Sequence, residues 1–442
     1  MPDTPRPHHV TVFGATGFTG RLVADYLAEA YPPDGEAADG AEPLRWAIAG
    51  RDAGKLEGVR AELGLPPEAV VVADAHDRAS LAAMCRATEV VVTTVGPYAE
   101  HGSDLVAACA AEGTDYCDLS GEVPWMRRMI DRHHEAAFRG GTRIVHSCGF
   151  DSIPSDLGVR FLQNEARARH GRFCGSVRLT LIGSSGSFSG GTFASLFGVV
   201  DAARADRDVA RLLANPYALN PPAPPGDCPA AADQRGARYD ERLGKWTAPF
   251  VMASINTRIV RRTHALAGFP YGRDFCYAEA MATGRGVSGH LAAKLIAGGI
   301  GAVMGVAPVT AVVRRLVPDP GEGPDRAARE AGYFKMRLDG RLRGGSGEHD
   351  SESPRAAPLT PLRGEPARGD SDVVEVEITG RRDPGYGCTS RMLAECAVGL
   401  ARTRGEGREG GVLTPAYALG EELLEGGRLE RAGVSFRLNA DR

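Results

Sequence analysis

Lysine is rare in this chain of 442 residues, and its positive charge is nearly all arginine. Tyr-x-x-x-Lys occurs nowhere, which excludes the tyrosine–lysine proton-donor pair of short-chain dehydrogenases. Gly-x-Ser-x-Gly is missing too, so a hydrolase nucleophile elbow is excluded. The nine cysteines include no Cys-x-x-Cys pair, and the doublets His8-His9 and His133-His134 are not spaced as ligands. No metal is expected. The cysteines sit mostly in apolar runs, as at Cys109 and Cys396, and read as reduced thiols of a cytoplasmic protein. No basic, apolar, small-residue leader opens the chain. A net charge of -4 with a pI near 6.3 is no nucleic-acid footprint.

What is present is an ordinary globular composition, 43% hydrophobic and 24% charged, long enough for two domains. Short apolar, β-prone runs at 10–13, 45–49, 69–73, 89–95, 115–118 and 143–146 alternate with helical patterns at 22–27, 55–63, 80–86, 103–112 and 125–139. That alternation predicts a parallel sheet covered on both faces. The fold class expected is α/β: a Rossmann-type parallel sheet over 1–155, then a mixed α+β domain over 156–442. In the second domain 176–182, 255–260 and 373–378 read as strands, and 193–213, 390–402 and 415–425 as helices. Residues 31–43 read as a surface insertion, 215–236 as Pro-rich coil, and 344–372 as a disordered loop.

Gly14-Ala15-Thr16-Gly17-Phe18-Thr19-Gly20 lies between the first strand and the first helix. The first glycine permits a tight turn, the second lets backbone approach a pyrophosphate, and the third lets helix and strand pack closely. The helix start then receives phosphates, with Thr16 and Thr19 adding hydroxyls. The second strand ends in Ala49-Gly50-Arg51. An acid there would suit NAD; Arg51 offers a fork for the 2′-phosphate of NADP instead. A surface arginine is the alternative reading, and Asp52 directly after it leaves the preference open. Asp74 ends the third strand on the adenine side. Val95-Gly96-Pro97-Tyr98 ends the fourth, where Gly96 admits the cofactor and Tyr98 faces the nicotinamide. Tyr116–Glu122 and Cys148–Asp156 end the next two strands and face the same crevice, or form the interdomain hinge.

With these pieces in order, the chain resembles the saccharopine dehydrogenase-like superfamily, and within it the trans-acting enoyl reductases. The resemblance rests on 14–20, 49–51, 95–98, 116–122 and 148–156. It rests also on Ser189-Gly190-Gly191-Thr192, on Asp383-Pro384-Gly385-Tyr386-Gly387, and on 410–416. It implies a Rossmann domain plus an α+β domain with substrate between them, and NADPH-dependent reduction of an enoyl group on a carrier-bound polyketide or fatty chain. The product would feed lipid or glycolipid synthesis, with an acyl carrier or polyketide synthase as partner. By position, Tyr98, Asp151 and Ser152 are the catalytic candidates, and Ser189, Gly190, Gly191 and Thr192 the substrate candidates. Two alternatives stay open: an amino-acid oxidoreductase like saccharopine dehydrogenase itself, and a non-catalytic NADP-binding scaffold.

Residues 295–313 carry no charge and are about long enough to cross a bilayer. Lys294 precedes them, and Arg314 and Arg315 follow. The expectation is a buried or interfacial helix beside a greasy substrate tunnel. Peripheral contact at the inner face of the plasma membrane and a true span are the alternatives; a span would have to interrupt the second domain.

Overall fold

A computed structural model describes residues 6–33, 35–186, 190–222, 228, 232–315, 323–344, 372–405 and 407–439; side chains are described from 194 onward in the helix that begins at 190. The expected disordered loop at 344–372 lies almost wholly outside the described residues, as does part of the Pro-rich coil at 215–236.

The apolar runs of the first half form β1 (His8–Phe13), β2 (Trp46–Gly50), β3 (Val70–Val72), β4 (Thr88–Thr93), β5 (Asp115–Cys117) and β6 (Arg143–Val145). Between them run α1 (Phe18–Ala30), α2 (Ala53–Leu63), α3 (Arg78–Ala87), the single turn α4 (Tyr98–His101), α5 (Ser103–Glu112) and α6 (Val123–Gly140). All pairings in this sheet are parallel. The strands are short and apolar because helices cover both faces.

The chain then enters α7 (Ile153–His170) and a second sheet built on β7 (Cys174–Ser185). Next come α8 (Gly190–Ala205), α9 (Arg207–Ala214), β8 (Arg238–Asp240), β9 (Lys245–Ala248), α10 (Ala253–Leu266), β10 (Cys276–Gly284), α11 (Gly286–Gly305), α12 (Ala307–Arg314), α13 (Arg326–Ala331), β11 (Tyr333–Leu342) and β12 (Val373–Gly380). The chain ends in α14 (Thr389–Arg402), β13 (Gly411–Leu413), α15 (Pro415–Leu424), α16 (Arg428–Arg431) and β14 (Val434–Leu438). The second sheet has the order β14-β12-β11-β7-β10-β9-β8, mixed in direction. The first reads β13-β6-β5-β4-β1-β2-β3, so its edge strand comes from residues 411–413, far beyond position 155.

Four expectations give way. Residues 255–260 form part of α10, not a strand. Their β-branched side chains are outweighed by a helix buried on nearly all sides, whose arginines reach backbone carbonyls: Arg261 donates to Pro216 O at 3.1 Å and Tyr277 O at 3.0 Å, and Arg258 to Leu213 O at 3.1 Å. The segment 31–43 is no mere surface insertion. Tyr31 and Ala37 are buried, and Asp39 receives Arg402 at 3.0 Å and Arg428 at 3.3 Å. Not every thiol is reduced: Cys228 and Cys276 form a disulfide, and seven cysteines are free. Forty-eight residues separate the two partners, a spacing with no local signature. Finally, of the buried or interfacial helix expected at 295–313, the buried form is not found. Only Gly289 and Ala293 of α11 are buried, because β8 and β9, of three and four residues, cannot cover a helix about 30 Å long.

Candidate functional site

A cavity of about 810 Å³ runs from the glycine loop to the α8–α12 side of the second sheet. Its first end is made by the strand ends of the parallel sheet, where ligands of such sheets lie. Gly14, Thr16, Gly17, Phe18, Thr19, Arg51, Asp74, Val95, Gly96 and Tyr98 all line it. The remaining candidates, Ala15, Gly20 and Pro97, lie behind that wall.

The glycines are required sterically. Gly14 has φ +93°, and a Cβ on it would meet Val95 Cγ2 at 2.7 Å. A Cβ on Gly20 would fall 2.1 Å from the Gly14 carbonyl oxygen, so only glycine lets α1 start this close to β1. No side chain caps α1 at Gly17, and no acid stands in its first turn. The helix start is thus open to an anion.

Arg51 is exposed on the cavity wall and makes no ion pair among the described residues. The neighbouring Asp52 caps α2 instead, accepting from Lys55 N at 3.0 Å. The acid that complicated the sequence reading is therefore engaged in its own helix, and the free fork of Arg51 fits a phosphate. Asp74 accepts from His76 N at 2.9 Å, holding its own turn. His76 Nε2 lies 3.1 Å from His101 Nδ1 beside it, a pair with no sequence signal.

The three catalytic candidates separate cleanly. Tyr98 is buried; its hydroxyl donates to Thr93 O at 3.2 Å and accepts from Leu119 N at 3.1 Å. Burial raises its pKa far above the usual phenol range. Ser152 is fully buried, donates to Asn256 Oδ1 at 3.2 Å, and is not on the cavity wall. Asp151 is on that wall and only partly buried. It has no hydrogen-bond or ion-pair partner among the described residues. Burial, and then the charge of Asp118, push its carboxyl up to about 7. Asp118 is itself a hub, accepting from Tyr116 OH at 2.8 Å and lying 2.7 Å from His146 Nδ1.

Glu122, the last residue of the 116–122 motif, has a role that the motif did not announce. It accepts from the amides of Tyr98 and Ala99, both at 2.8 Å, and from Ser195 Oγ at 2.9 Å. One carboxylate therefore ties the fourth strand's loop to α8. The 383–387 motif folds into a π-type turn, with Asp383 accepting from Tyr386 N at 3.0 Å and Gly387 N at 2.8 Å. Tyr386 lines the cavity and meets Phe18 edge-on at 4.8 Å. Of the substrate candidates, Ser189 lies outside the described residues, and Gly190, Gly191 and Thr192 begin α8 without described side chains. The next turns of α8 do reach the cavity, through Ser195, Leu196 and Val199.

The far wall is apolar: Leu196, Val199, Leu213, Phe250, Ile255 and Met304. Arg258 there is bonded to Asp233, leaving Arg235 exposed at the rim.

Comparison with known proteins agrees with this geometry. The family profile of the saccharopine dehydrogenase NADP binding domain matches residues 10–145. A protein of Mycobacterium tuberculosis bearing the name of a trans-acting enoyl reductase is 41% identical over 99% of both chains. The trans-acting enoyl reductases of Mycobacterium bovis and Mycobacterium ulcerans are 34% and 35% identical over 98% of each chain. Among solved structures, apo saccharopine dehydrogenase (L-Glu forming) from Saccharomyces cerevisiae shares the fold. Its TM-score is 0.50 at 10% identity, covering 98% of this chain and 100% of that one.

Proposed function

Since this chain belongs to the trans-acting enoyl reductases, NADP-dependent oxidoreductases of carbon–carbon double bonds, we propose that it reduces the enoyl group of a carrier-bound polyketide or fatty chain in lipid or glycolipid synthesis. The observation that carries this reading is the cavity's apolar far wall. A chain of methylenes gains from entering such a wall, roughly 0.8 kcal/mol per buried CH₂. A dicarboxylic amino acid would need paired cations there, and Arg258 is already committed to Asp233. This disfavours the amino-acid alternative, and the family disfavours a non-catalytic scaffold.

NADPH, when bound, would supply the hydride for the β-carbon of the double bond. The chain's own contribution is to position and to protonate. Gly14, Gly17 and Arg51 hold the cofactor's phosphates. Tyr98, fixed from both sides, shapes the wall by the strand end. Asp151 lines the cavity, and with its carboxyl pushed up to about 7 it is about half protonated at neutral pH, so we assign it delivery of that proton to the α-carbon.

The test is turnover with NADPH and an enoyl chain on an acyl carrier protein, set beside glutamate with an aldehyde donor. The expected result is NADPH oxidation and a product two hydrogens heavier in the first case, and no oxidation in the second. The reverse pattern would overturn the proposal.

A further inference from the structure

α11 is long and apolar enough to cross a membrane, yet only 11% of its most apolar window is buried. Val287, Leu291 and Leu295 stand one turn apart and are 86%, 58% and 68% exposed. That is one continuous apolar stripe. Val306, in line with it, and Val312 of α12 extend it, and both are exposed.

The charges of the stripe's own segment have one sign, and among the described residues only Arg314 at its end pairs with an acid, Asp201 of α8 at 2.7 Å. No Asp or Glu occurs between Glu279 and Asp319. Arg285, Lys294 and Arg315 are exposed and have no partner among the described residues. An apolar face bordered by free cations matches an anionic lipid surface in both respects. A second copy fits poorly, because a twofold contact would bring like charges together.

The path of the chain decides how the helix meets lipid. β10 leads into α11 and β11 follows α12, and both strands flank β7 in the same sheet. Thr283 Oγ1 donates to Gly289 O at 2.8 Å, and Trp246 stacks on His290 at 3.9 Å. The inner side of α11 is thereby held against the sheet edge, so its length lies along a bilayer surface, not across it.

The same helix reaches the cavity from its other side. Met304 is 45% exposed and also lines the cavity wall. Arg204 of α8 donates to Val303 O at 3.2 Å and to Thr310 Oγ1 at 2.8 Å, fastening α8 to α11 and α12.

We propose that α11 and α12 form an in-plane docking surface for an anionic bilayer, with the stripe of Val287, Leu291 and Leu295 facing the lipid and Met304, on the opposite side of α11, facing the cavity. The proposal does not depend on the substrate assigned above.

It is tested by flotation of the full chain with phosphatidylcholine vesicles, with and without phosphatidylglycerol. The expected result is binding to the anionic vesicles alone, weakened by salt. The double variant Leu291→Asp, Leu295→Asp should bind them on the order of tenfold less while keeping its NADPH affinity, which shows that it folds. Equal flotation of variant and parent, or flotation of neither, would overturn the proposal. So would a dimer in solution that the variant splits, because the stripe would then be a contact between copies.

Discussion

At the scale of single residues, neighbours decide which side chains are available. Arg51 and Asp52 are adjacent, yet one is free and the other caps a helix. Arg51→Ala should therefore weaken NADPH by roughly 1.5–3 kcal/mol, the worth of hydrogen bonds to a charged group, and leave NADH almost unchanged. Fluorescence titration with both cofactors checks this. Asp151 yields two predictions. As proton donor it must be protonated, so activity should fall as pH rises through about 7. Asp151→Asn should lose that limb and about 10²–10⁴-fold in kcat. The same raised pKa acts on stability with a definite sign. Between the ordinary carboxyl value near 3.8 and about 7, the folded protein binds the proton more tightly than the unfolded chain does. Asp151 therefore increasingly opposes folding as pH climbs through that window, by up to about 1.4 kcal/mol per pH unit. Asp151→Asn should raise Tm more at pH 8 than at pH 5, a difference that thermal melts read directly. The sequence placed Tyr98, Asp151 and Ser152 alike after strand ends. It could not separate them, because the amide that Leu119 gives Tyr98 and the Asn256 that holds buried Ser152 belong to other elements of the fold.

At the scale of elements, legibility followed period and locality. The glycine loop, the six parallel strands and their helices were plain, because each is a short run with one dominant pattern. β11 alternates buried Phe334, Met336 and Leu338 with more exposed neighbours, but its interspersed charges kept it out of the expected set. α10 was misread for a deeper reason: its stability comes from carbonyls elsewhere in the chain. Arg262 is buried and donates to Leu219 O and Val412 O. α14, expected as a helix at 390–402 and found at Thr389–Arg402, also draws its stability from distant residues. Its Glu395 is fully buried and accepts from Tyr26 OH at 2.6 Å and Tyr31 OH at 2.9 Å, with Arg428 at 3.3 Å. Glu395→Ala leaves two buried hydroxyls without their acceptor and removes one of three carboxylates around Arg428, which keeps Asp39 and Glu422; it should cost roughly 1–3 kcal/mol for each group left unpaired, read by urea unfolding. Glu395→Gln keeps acceptor capacity and should cost less.

At the scale of the whole molecule, the two sheets share one apolar core running from Val10 and Ile48 through α14 to Leu338 and Ile378. α14 packs against α1, β1, β4 and β5. The chain thus returns to cover the first sheet after building the second. A fragment of residues 1–155 lacks both α14 and β13, and should show no cooperative thermal transition by circular dichroism. A folded, NADP-binding fragment would contradict the shared core. The boundary expected at 155 falls within α7, and no local pattern in 389–424 announces which sheet those residues will cover.

The strand at 411–413 has a consequence for recombination between relatives. Consider a chimera that exchanges the cofactor domain by one cut behind β6, the last strand of its first sheet in the N-terminal half. Here such a cut would pair one parent's sheet with the other parent's edge strand and covering helix. Inheritance of cofactor preference therefore requires two crossovers, moving 6–152 and 389–424 together. Single-crossover hybrids should be recovered mainly as aggregates.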